Sequence, residues 1–240
     1  MLNGKTVFVS GGTGYLGSEI CRKAAHYGAQ VIFSFHSSKE KAEQLQKEIP
    51  GSAAIPINVL DVKDIKNKIE KLYSETEKID VLINNAGIAQ VMPMTLVEEE
   101  DVDLMMDVNI KGVFFVTKNI VKGMIRNKSG VIVNTGSIAG TRMYDVPVTY
   151  AMTKAAIQGL TFSLAVELKR FGIRVNAVVP GLMDGGVGMG VPESLKQDFI
   201  SHCAAGRLGK AADVAELVCF LASERSSYIN GQNIAIDGGV

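Results

Sequence analysis

Short apolar segments alternate along this chain with amphipathic segments of helical period. The apolar runs have the length of strands and lie at Thr6 to Ser10, Val31 to Phe35, Ala53 to Ile57, Val81 to Asn84, Val131 to Thr135, Arg174 to Val179 and Asn233 to Ile236. Several are apolar throughout, which is typical of strands covered on both faces of a sheet. The sequence therefore predicts an α/β fold, a doubly wound parallel sheet of about seven strands with helices on both faces.

Length and composition favour one soluble domain. The 240 residues contain no linker-like stretch, so residues 1–240 are predicted to form a single domain. Basic and acidic residues balance at 25 each, without blocks of like charge, so nothing favours nucleic acid or an anionic membrane as a partner. The first predicted strand follows Met1 too closely for a signal peptide, and no apolar run approaches about 18 residues. We therefore expect a cytoplasmic protein.

The cysteines do not suggest a disulfide or a metal site. Cys21, Cys203 and Cys219 stand singly in helix-like segments, with no second cysteine or histidine at ligand spacing. Buried small hydrophobic side chains explain them better, so no metal is expected.

A glycine-rich turn follows the first predicted strand. Gly11, Gly14 and Gly17 are spaced to allow a tight turn, close approach of a pyrophosphate and close helix packing, and the next helix is predicted to run to about Tyr27. The free N–H groups at its start favour a phosphate. The alternative is a glycine-rich turn without a ligand.

Tyr150 and Lys154 are four residues apart in a segment that reads as helix, with Ser137 at the end of the preceding strand. Residues at this spacing share a helix face, and a nearby ammonium favours the ionised phenol. We therefore expect Lys154 to lower the pKa of Tyr150 toward neutral pH, where the phenol can exchange protons with a carbonyl or alcohol. The spacing alone also occurs by chance.

Together with further ordered motifs, these residues resemble the single-domain branch of the short-chain dehydrogenase/reductase family, and within it the 3-oxoacyl-(acyl-carrier-protein) reductases. The resemblance covers essentially the whole chain and implies a Rossmann-like fold and an NAD(P)-dependent oxidoreductase acting on CH–OH/C=O groups. The additional motifs that carry it are Asn84-Asn85-Ala86-Gly87, Gly136-Ser137, Asn176-Ala177-Val178-Val179-Pro180-Gly181, Gly206-Arg207-Leu208-Gly209, Ile229-Asn230-Gly231-Gln232 and Asp237-Gly238-Gly239.

The resemblance implies a role for each of four catalytic residues. Tyr150 would be the general acid in ketone reduction, and Ser137 would hydrogen-bond the substrate oxygen. Lys154 would bind the nicotinamide ribose and depress the phenol pKa, and Asn109 would hold a water that relays protons to the lysine. The alternatives are a core tyrosine, a strand-end cap at Ser137 and a buried helix asparagine.

The resemblance also implies cofactor contacts at the ends of the strands. NADPH is favoured over NADH, because Phe35 stands where an NAD enzyme would have a carboxylate and nearby polar residues could hold a 2′-phosphate. A solvated loop entering a helix is the alternative for Lys39. The assigned positions are Gly11, Thr13, Gly14, Tyr15, Leu16, Gly17, His36, Ser37, Lys39, Asn58, Val59, Asn84, Asn85, Ala86, Gly87, Pro180, Gly181 and Met183.

Two positions depart from the family pattern. Tyr15 stands where the branch usually has the middle glycine of its first turn, and position 14 lacks a common arginine ligand of the 2′-phosphate. Gly185 replaces a frequent threonine that bonds the nicotinamide carboxamide or a phosphate. The glycines from Gly185 to Gly190 favour a mobile substrate lid around residues 182–205, with a plain surface loop as the alternative.

The predicted substrate pocket is mostly small or apolar. It suits an acyl chain or a neutral ketone, and the leading hypothesis is an NADPH-dependent ketoreductase that reduces a 3-oxoacyl thioester in fatty-acid or polyketide-like synthesis. The alternatives are a dehydrogenase of a small secondary alcohol or steroid, and an inactive dinucleotide-binding sensor or scaffold. The assigned residues are Ala139, Met143, Tyr144 and Met189, with Gly140, Ile88, Gln90 and Met92 around them.

Two kinds of protein partner are expected. An acidic acyl carrier protein would dock on basic residues at the entrance, for which Arg126, Lys128, Lys169 and Arg170 are candidates, although such residues also simply complement helix dipoles. A homotetramer, or at least a dimer, is expected through the helices that carry Asn109 and Tyr150. The apolar surface for it would come from Val113, Phe114, Phe115, Ile157, Leu160 and Phe162.

Overall fold

The structure is a computed structural model that describes residues 1–142 and 145–240. The strands are β1 Thr6–Val9, β2 Gln30–Phe35, β3 Ala53–Pro56, β4 Val81–Asn84, β5 Gly130–Thr135, β6 Ile173–Pro180 and β7 Asn233–Ile236. All described strands form a single parallel sheet of seven strands in the order β3-β2-β1-β4-β5-β6-β7. Each predicted strand is confirmed within one or two residues, as is the doubly wound parallel fold.

The strand order reverses between β1 and β4. β1 and β4 pair with each other in parallel, with Val7 opposite Val81, and β1 pairs with β2 along its other edge. The chain segments that leave β1 and β4 therefore separate to opposite faces and open a crevice at the carboxyl ends of the strands. Ligands of open α/β sheets bind in such a crevice.

Helices cover both faces of the sheet. The helices are α1 Tyr15–His26, α2 Lys39–Glu48, α3 Val62–Glu75, α4 Glu99–Met106, α5 Val113–Asn127, α6 Val148–Leu168, α7 Glu193–His202 and α8 Ala211–Ala222. One apolar core joins α1, α2 and α8 to residues such as Val7 and Val133, and the other joins α3, α5 and α6 to residues such as Phe8 and Ile132.

A π-helical segment, Asp107–Gly112, joins α4 to α5 and carries Asn109. Segments of this kind are rare and occur often at functional sites. Gly112 within it lies against Val59, because a Cβ atom there would come 3.0 Å from the Val59 Cβ. The segment therefore packs closely onto the chain that leaves β3.

Part of the expected assembly surface belongs to the core. Val113 and Ile157 are buried inside the chain, whereas the Phe114 and Phe162 side chains are 46% and 53% exposed. The exposed apolar surface of α6 extends to Val166. In the described part of the chain, no helix is long and apolar enough to cross a membrane, and no group of three or more His, Cys, Asp or Glu side chains could hold a metal ion.

Candidate active site

A cleft of about 750 Å³ opens at the carboxyl ends of the strands. It brings together residues that are far apart in sequence, from the glycine-rich turn to the segment after β6. Of the predicted site residues, those that line it are Gly11, Thr13, Gly14, Tyr15, Leu16, Gly17, His36, Ser37, Asn58, Val59, Asn85, Ala86, Gly87, Ile88, Ser137, Ala139, Tyr150, Lys154, Pro180, Gly181 and Met183.

The glycine-rich turn has the geometry of a phosphate cradle. Gly11 has a φ of +68° and lies against Ala86, and a Cβ at Gly17 would collide with the Gly11 carbonyl oxygen. No side chain caps the start of α1 at Tyr15. Its first N–H groups and the helix dipole therefore suit a pyrophosphate, so the residues present fit a dinucleotide.

Side chains of neighbouring strands hold the turn. Ser10 Oγ accepts hydrogen bonds from the main-chain N–H groups of Asn85 and Ala86, each at 3.0 Å. Ser34 Oγ accepts one from Gly11 N at 3.3 Å. Sequence reasoning missed Ser10 and Ser34, although polar residues at the carboxyl ends of apolar strands are a signal for this role.

Ser137 and Tyr150 meet at the end of β5. The Ser137 Oγ accepts a hydrogen bond from Ala139 N at 3.1 Å, and the Ser137 side chain lies close enough to the Tyr150 phenol to oppose the rise in its pKa. Ser137 therefore caps the short 3₁₀ turn Ile138–Gly140 and still reaches the tyrosine in the first turn of α6. Two hydroxyl groups can thus act on one ligand oxygen.

The prediction that Lys154 lowers the pKa of Tyr150 is wrong. Burial raises the pKa of Tyr150, and only the hydrogen bond from Ser137 opposes it. The Lys154 ammonium stands 5.6 Å from the centre of the tyrosine ring and donates to the Thr135 carbonyl oxygen at 3.0 Å. Burial also lowers the pKa of Lys154 to about 8. Desolvation therefore dominates both groups.

Asn109 fixes the chain after β4 beside Lys154. Its side-chain oxygen accepts from Ile88 N at 2.8 Å, and its amide donates to the Ile88 carbonyl oxygen at 2.9 Å and to Thr153 Oγ1 at 3.1 Å. A Cβ at Gly87 would lie 3.2 Å from Asn109 Oδ1 and 3.8 Å from Lys154 Nζ. Asn109 is buried and lies behind Gly87, so it does not line the cleft.

The other sequence-predicted residues fall into three groups. Lys39 and Met189 do not line the cleft: the Lys39 side chain is 79% exposed and pairs with Glu43 at 3.8 Å, and Met189 is 71% exposed.

Asn84 was expected at the cofactor, but its side chain lies in the core and donates to Thr117 and Asn134. Met143 and Tyr144 lie outside the described residues.

Further predicted pocket residues have other partners. Gln90 donates to Asp101 at 2.6 Å, and a Cβ at Gly140 would collide with the main chain of Ala155. Arg142, beside the predicted pocket residues, forms an ion pair with Asp237 at 2.9 Å.

The basic residues proposed for a carrier protein lie at the wrong edge of their own chain. Arg126 and Lys128 precede β5, and Lys169 and Arg170 precede β6, so both pairs lie at the amino ends of the strands. The cleft opens at the carboxyl ends. Arg126 instead stacks over the Tyr73 ring at 5.6 Å. Within one chain these residues cannot flank the entrance.

Known proteins resemble the chain over its whole length. A family model described as enoyl-(acyl carrier protein) reductase matches residues 14–240. The 3-oxoacyl-(acyl-carrier-protein) reductase FabG of Thermotoga maritima is 39% identical, over 100% of this chain and 98% of that protein. A short-chain dehydrogenase/reductase from Serratia marcescens has a TM-score of 0.92 and 31% identity, over 99% of this chain and 98% of the other.

The chain belongs to the short-chain dehydrogenase/reductase family. It is an NAD(P)-dependent oxidoreductase that acts on CH–OH/C=O groups. A gluconate 5-dehydrogenase from Burkholderia cenocepacia, solved in complex with NADP and tartrate, has a TM-score of 0.93 and 27% identity over 99% of this chain and 95% of the other. The oxidoreductase UcpA of Salmonella typhimurium is 37% identical over 99% of this chain and 95% of that protein. The family binds a nicotinamide dinucleotide, which agrees with the phosphate cradle.

Proposed function

We propose that this short-chain dehydrogenase/reductase is an NADPH-dependent ketoreductase of 3-oxoacyl thioesters. The observation that carries the proposal is the Ser137–Tyr150 hydroxyl pair, which lies at the end of an apolar cleft beside the buried Lys154. The similarity to FabG reductases over the whole chain supports the same substrate class.

The hydroxyl pair supports chemistry at a carbonyl oxygen. Reduction of a ketone needs a hydride at carbon, which the bound nicotinamide would supply, and a proton at oxygen. The Tyr150 phenol, whose pKa burial raises above the ordinary value of 10.0, carries its proton at neutral pH and is the group that would supply it to the oxygen. Ser137 would share the charge that develops on the oxygen. Lys154 would bind the nicotinamide ribose from the floor of the cleft.

A proton path from solvent would run past Lys154. With a pKa lowered to about 8, this amine is able to take up and release a proton near neutral pH. Asn109 and Lys154 both lie close to Gly87, and Asn109 would hold the water that returns a proton to the lysine.

The lining of the cleft supports a neutral, apolar substrate. Among the described lining residues, Lys154 is the only lysine or arginine, and Arg142 is already paired with Asp237. This favours an acyl thioester over a keto acid. The apolar lining of the cleft includes Ile88, Val91, Leu104, Val108, Val187, Val191 and Leu195.

NADPH is proposed over NADH because the end of β2 presents no carboxylate to a ribose. Phe35 lines the cleft in that position, and His36 and Ser37 follow it there. Hydrogen-bond donors at these positions suit a 2′-phosphate.

Assembly would bring the basic residues at the amino ends of the strands close to the cleft of another subunit. The exposed apolar surface of α5 and α6 is proposed to form a two-fold interface in a homotetramer. If α5 packs antiparallel to its symmetry mate, the amino edge of one sheet lies beside the carboxyl edge of the other. Arg126 and Lys128 would then stand near the partner's entrance, where an acidic carrier protein could dock.

The proposal is tested by NADPH oxidation with an acetoacetyl thioester. We expect turnover by the parent protein and a loss of kcat of about 10²- to 10⁴-fold in Tyr150→Phe, because the proton donor is removed. Tyr228→Phe, a change at a fully exposed tyrosine, is the matched control and should keep the parent rate. Tight NADPH binding without turnover of any ketone would refute the enzyme and favour a sensor or scaffold.

A further inference from the structure

The phenol of Tyr15 joins three parts of the cleft. Tyr15 is the first residue of α1, directly after the phosphate cradle, and its hydroxyl donates to Asp184 Oδ1 in the segment after β6. The same oxygen accepts from Ala211 N, at the start of α8, at 3.3 Å. We call residues 182–190, which follow β6 and contribute to the cleft, the cover segment.

The Tyr15 ring occupies the space of a missing side chain. A Cβ atom built on Gly185 would lie 2.7 Å from the Tyr15 ring, so any larger residue there would require the ring to move. Gly186, with a φ of +63°, would bring its Cβ within 3.2 Å of the Tyr15 Cβ. The two departures from the family pattern, Tyr15 and Gly185, are therefore one complementary contact.

The rest of the cover segment is tied to the start of α8. Asp184 N donates to the Gly209 carbonyl oxygen at 2.9 Å, and Gly209 N donates to the Leu182 carbonyl oxygen at 3.0 Å. Asp184 is thus held by its main chain on one side and by Tyr15 on the other. A segment rich in glycine is ordered by these contacts rather than by its own backbone preference.

We propose that Tyr15 is a positioning residue that latches the cover segment over the dinucleotide cleft. It takes the place of a side chain at position 185 and orders the cover segment before the cofactor binds. A latch of this kind raises affinity, because the binding-competent state is already populated and less ordering remains to be done on binding. The proposal extends the proposed function to a residue that binds no substrate.

Two readouts test the latch without any substrate. In Tyr15→Phe, which removes only the hydroxyl, we expect NADPH affinity to fall about tenfold, as for one lost hydrogen bond to a charged group. Amide hydrogen exchange of residues 182–190, measured without added cofactor, should speed up by about the same factor. Tyr27→Phe is the matched control, because Tyr27 donates a similar hydrogen bond to Glu216 at 2.6 Å outside the cleft.

A compensating pair tests the complementarity. Gly185→Thr and Tyr15→Gly should each weaken NADPH binding by about tenfold or more, one through collision and the other through loss of the latch. In the double variant Tyr15→Gly/Gly185→Thr the collision is absent but the latch is still missing, so its affinity should match that of Tyr15→Gly alone and exceed the product of the two single effects, which is the non-additivity expected of residues in contact.

The outcomes separate the latch from the proposed function. Unchanged affinity and exchange in Tyr15→Phe, or a double variant as weak as the product of its single variants, would overturn the latch. Thermal unfolding of each variant shows whether it is folded. Because none of these measurements uses a ketone, a protein that fails to reduce thioesters still reports on the latch.

Discussion

At the scale of single residues, the site depends on desolvation rather than on charge pairing. Tyr150 and Lys154 share one face of α6, but burial controls the pKa of each. The amine is 7% exposed and has one hydrogen-bond acceptor, the Thr135 carbonyl oxygen. A buried amine of this kind destabilises the folded protein whenever it is charged.

Replacing Lys154 should therefore stabilise the protein while inactivating it. The folded pKa of about 8 lies below the unfolded value of 10.5, so the unfavourable burial of charge is fully present below pH 8. It is relieved as the pH rises from 8 to 10.5, because the unfolded chain then binds more protons than the folded one. We expect Lys154→Met to raise the free energy of unfolding by about 2 kcal/mol at pH 7, after about 1 kcal/mol for the lost hydrogen bond.

Urea unfolding at pH 7 and pH 9.5 measures this difference. The stabilisation should shrink at the higher pH, and Lys47→Met, at an exposed position of α2, should show no such trend. A variant less stable than the parent at pH 7, or a difference independent of pH, would contradict the prediction.

At the scale of elements, the proposed preference for NADPH rests on the junction of β2 and α2. His36 lines the cleft, whereas Lys39 lies outside its lining and pairs with Glu43. The two residues were predicted together from sequence, and the structure separates them. Only the position nearer the strand end lies where it can meet a 2′-phosphate.

We expect His36→Ala to weaken NADPH binding by about tenfold, through loss of a charge-assisted hydrogen bond, and NADH binding by less than about twofold. Lys39→Ala serves as the paired control and should change neither by more than about twofold, because an exposed ion pair contributes little. Paired affinities of both variants for NADPH and NADH settle the matter. Equal parent affinity for the two cofactors would refute the preference for NADPH.

The elements themselves could be predicted because local pattern determines them. Several strands are uninterrupted apolar runs, and the rule that ligands bind at the carboxyl ends then gathers most of the site from sequence alone. The same rule would have rejected Arg126 and Lys169 as entrance residues, since each precedes its strand. Asn84 was misjudged because a strand buried on both faces leaves no periodicity to show where its side chain points.

Contacts between segments far apart in the chain could not be predicted from the sequence. Tyr15 and Gly185 each read as an unexplained departure from a pattern, and only the fold shows that the ring of one fills the space above the other. The π-helical turn around Asn109 likewise has no local sequence signal. Desolvation of Lys154 depends on how deeply α6 packs, which residue spacing does not reveal.

At the scale of the whole molecule, α5 and α6 carry apolar side chains that are exposed to solvent in the single chain. Phe162 and Val166 are 53% and 65% exposed, one turn apart on α6, and Phe114 adds to them from α5. Apolar side chains grouped on two neighbouring helices are typical of a surface that packs against another copy of the same chain. A charge placed there would have to be buried in the interface.

We therefore expect Phe162→Arg to convert the proposed tetramer into smaller species, measured by analytical ultracentrifugation across a range of protein concentrations. The arginine loses its hydration on association, and in a two-fold interface the substitution enters from both sides. Lys47→Glu, a charge change on the distant helix α2, should leave the oligomer unchanged. If carrier docking uses the partner's Arg126 and Lys128, the dissociated variant should lose rate with a carrier-bound substrate more than with a small thioester. An unchanged sedimentation coefficient in Phe162→Arg would refute an interface on this face.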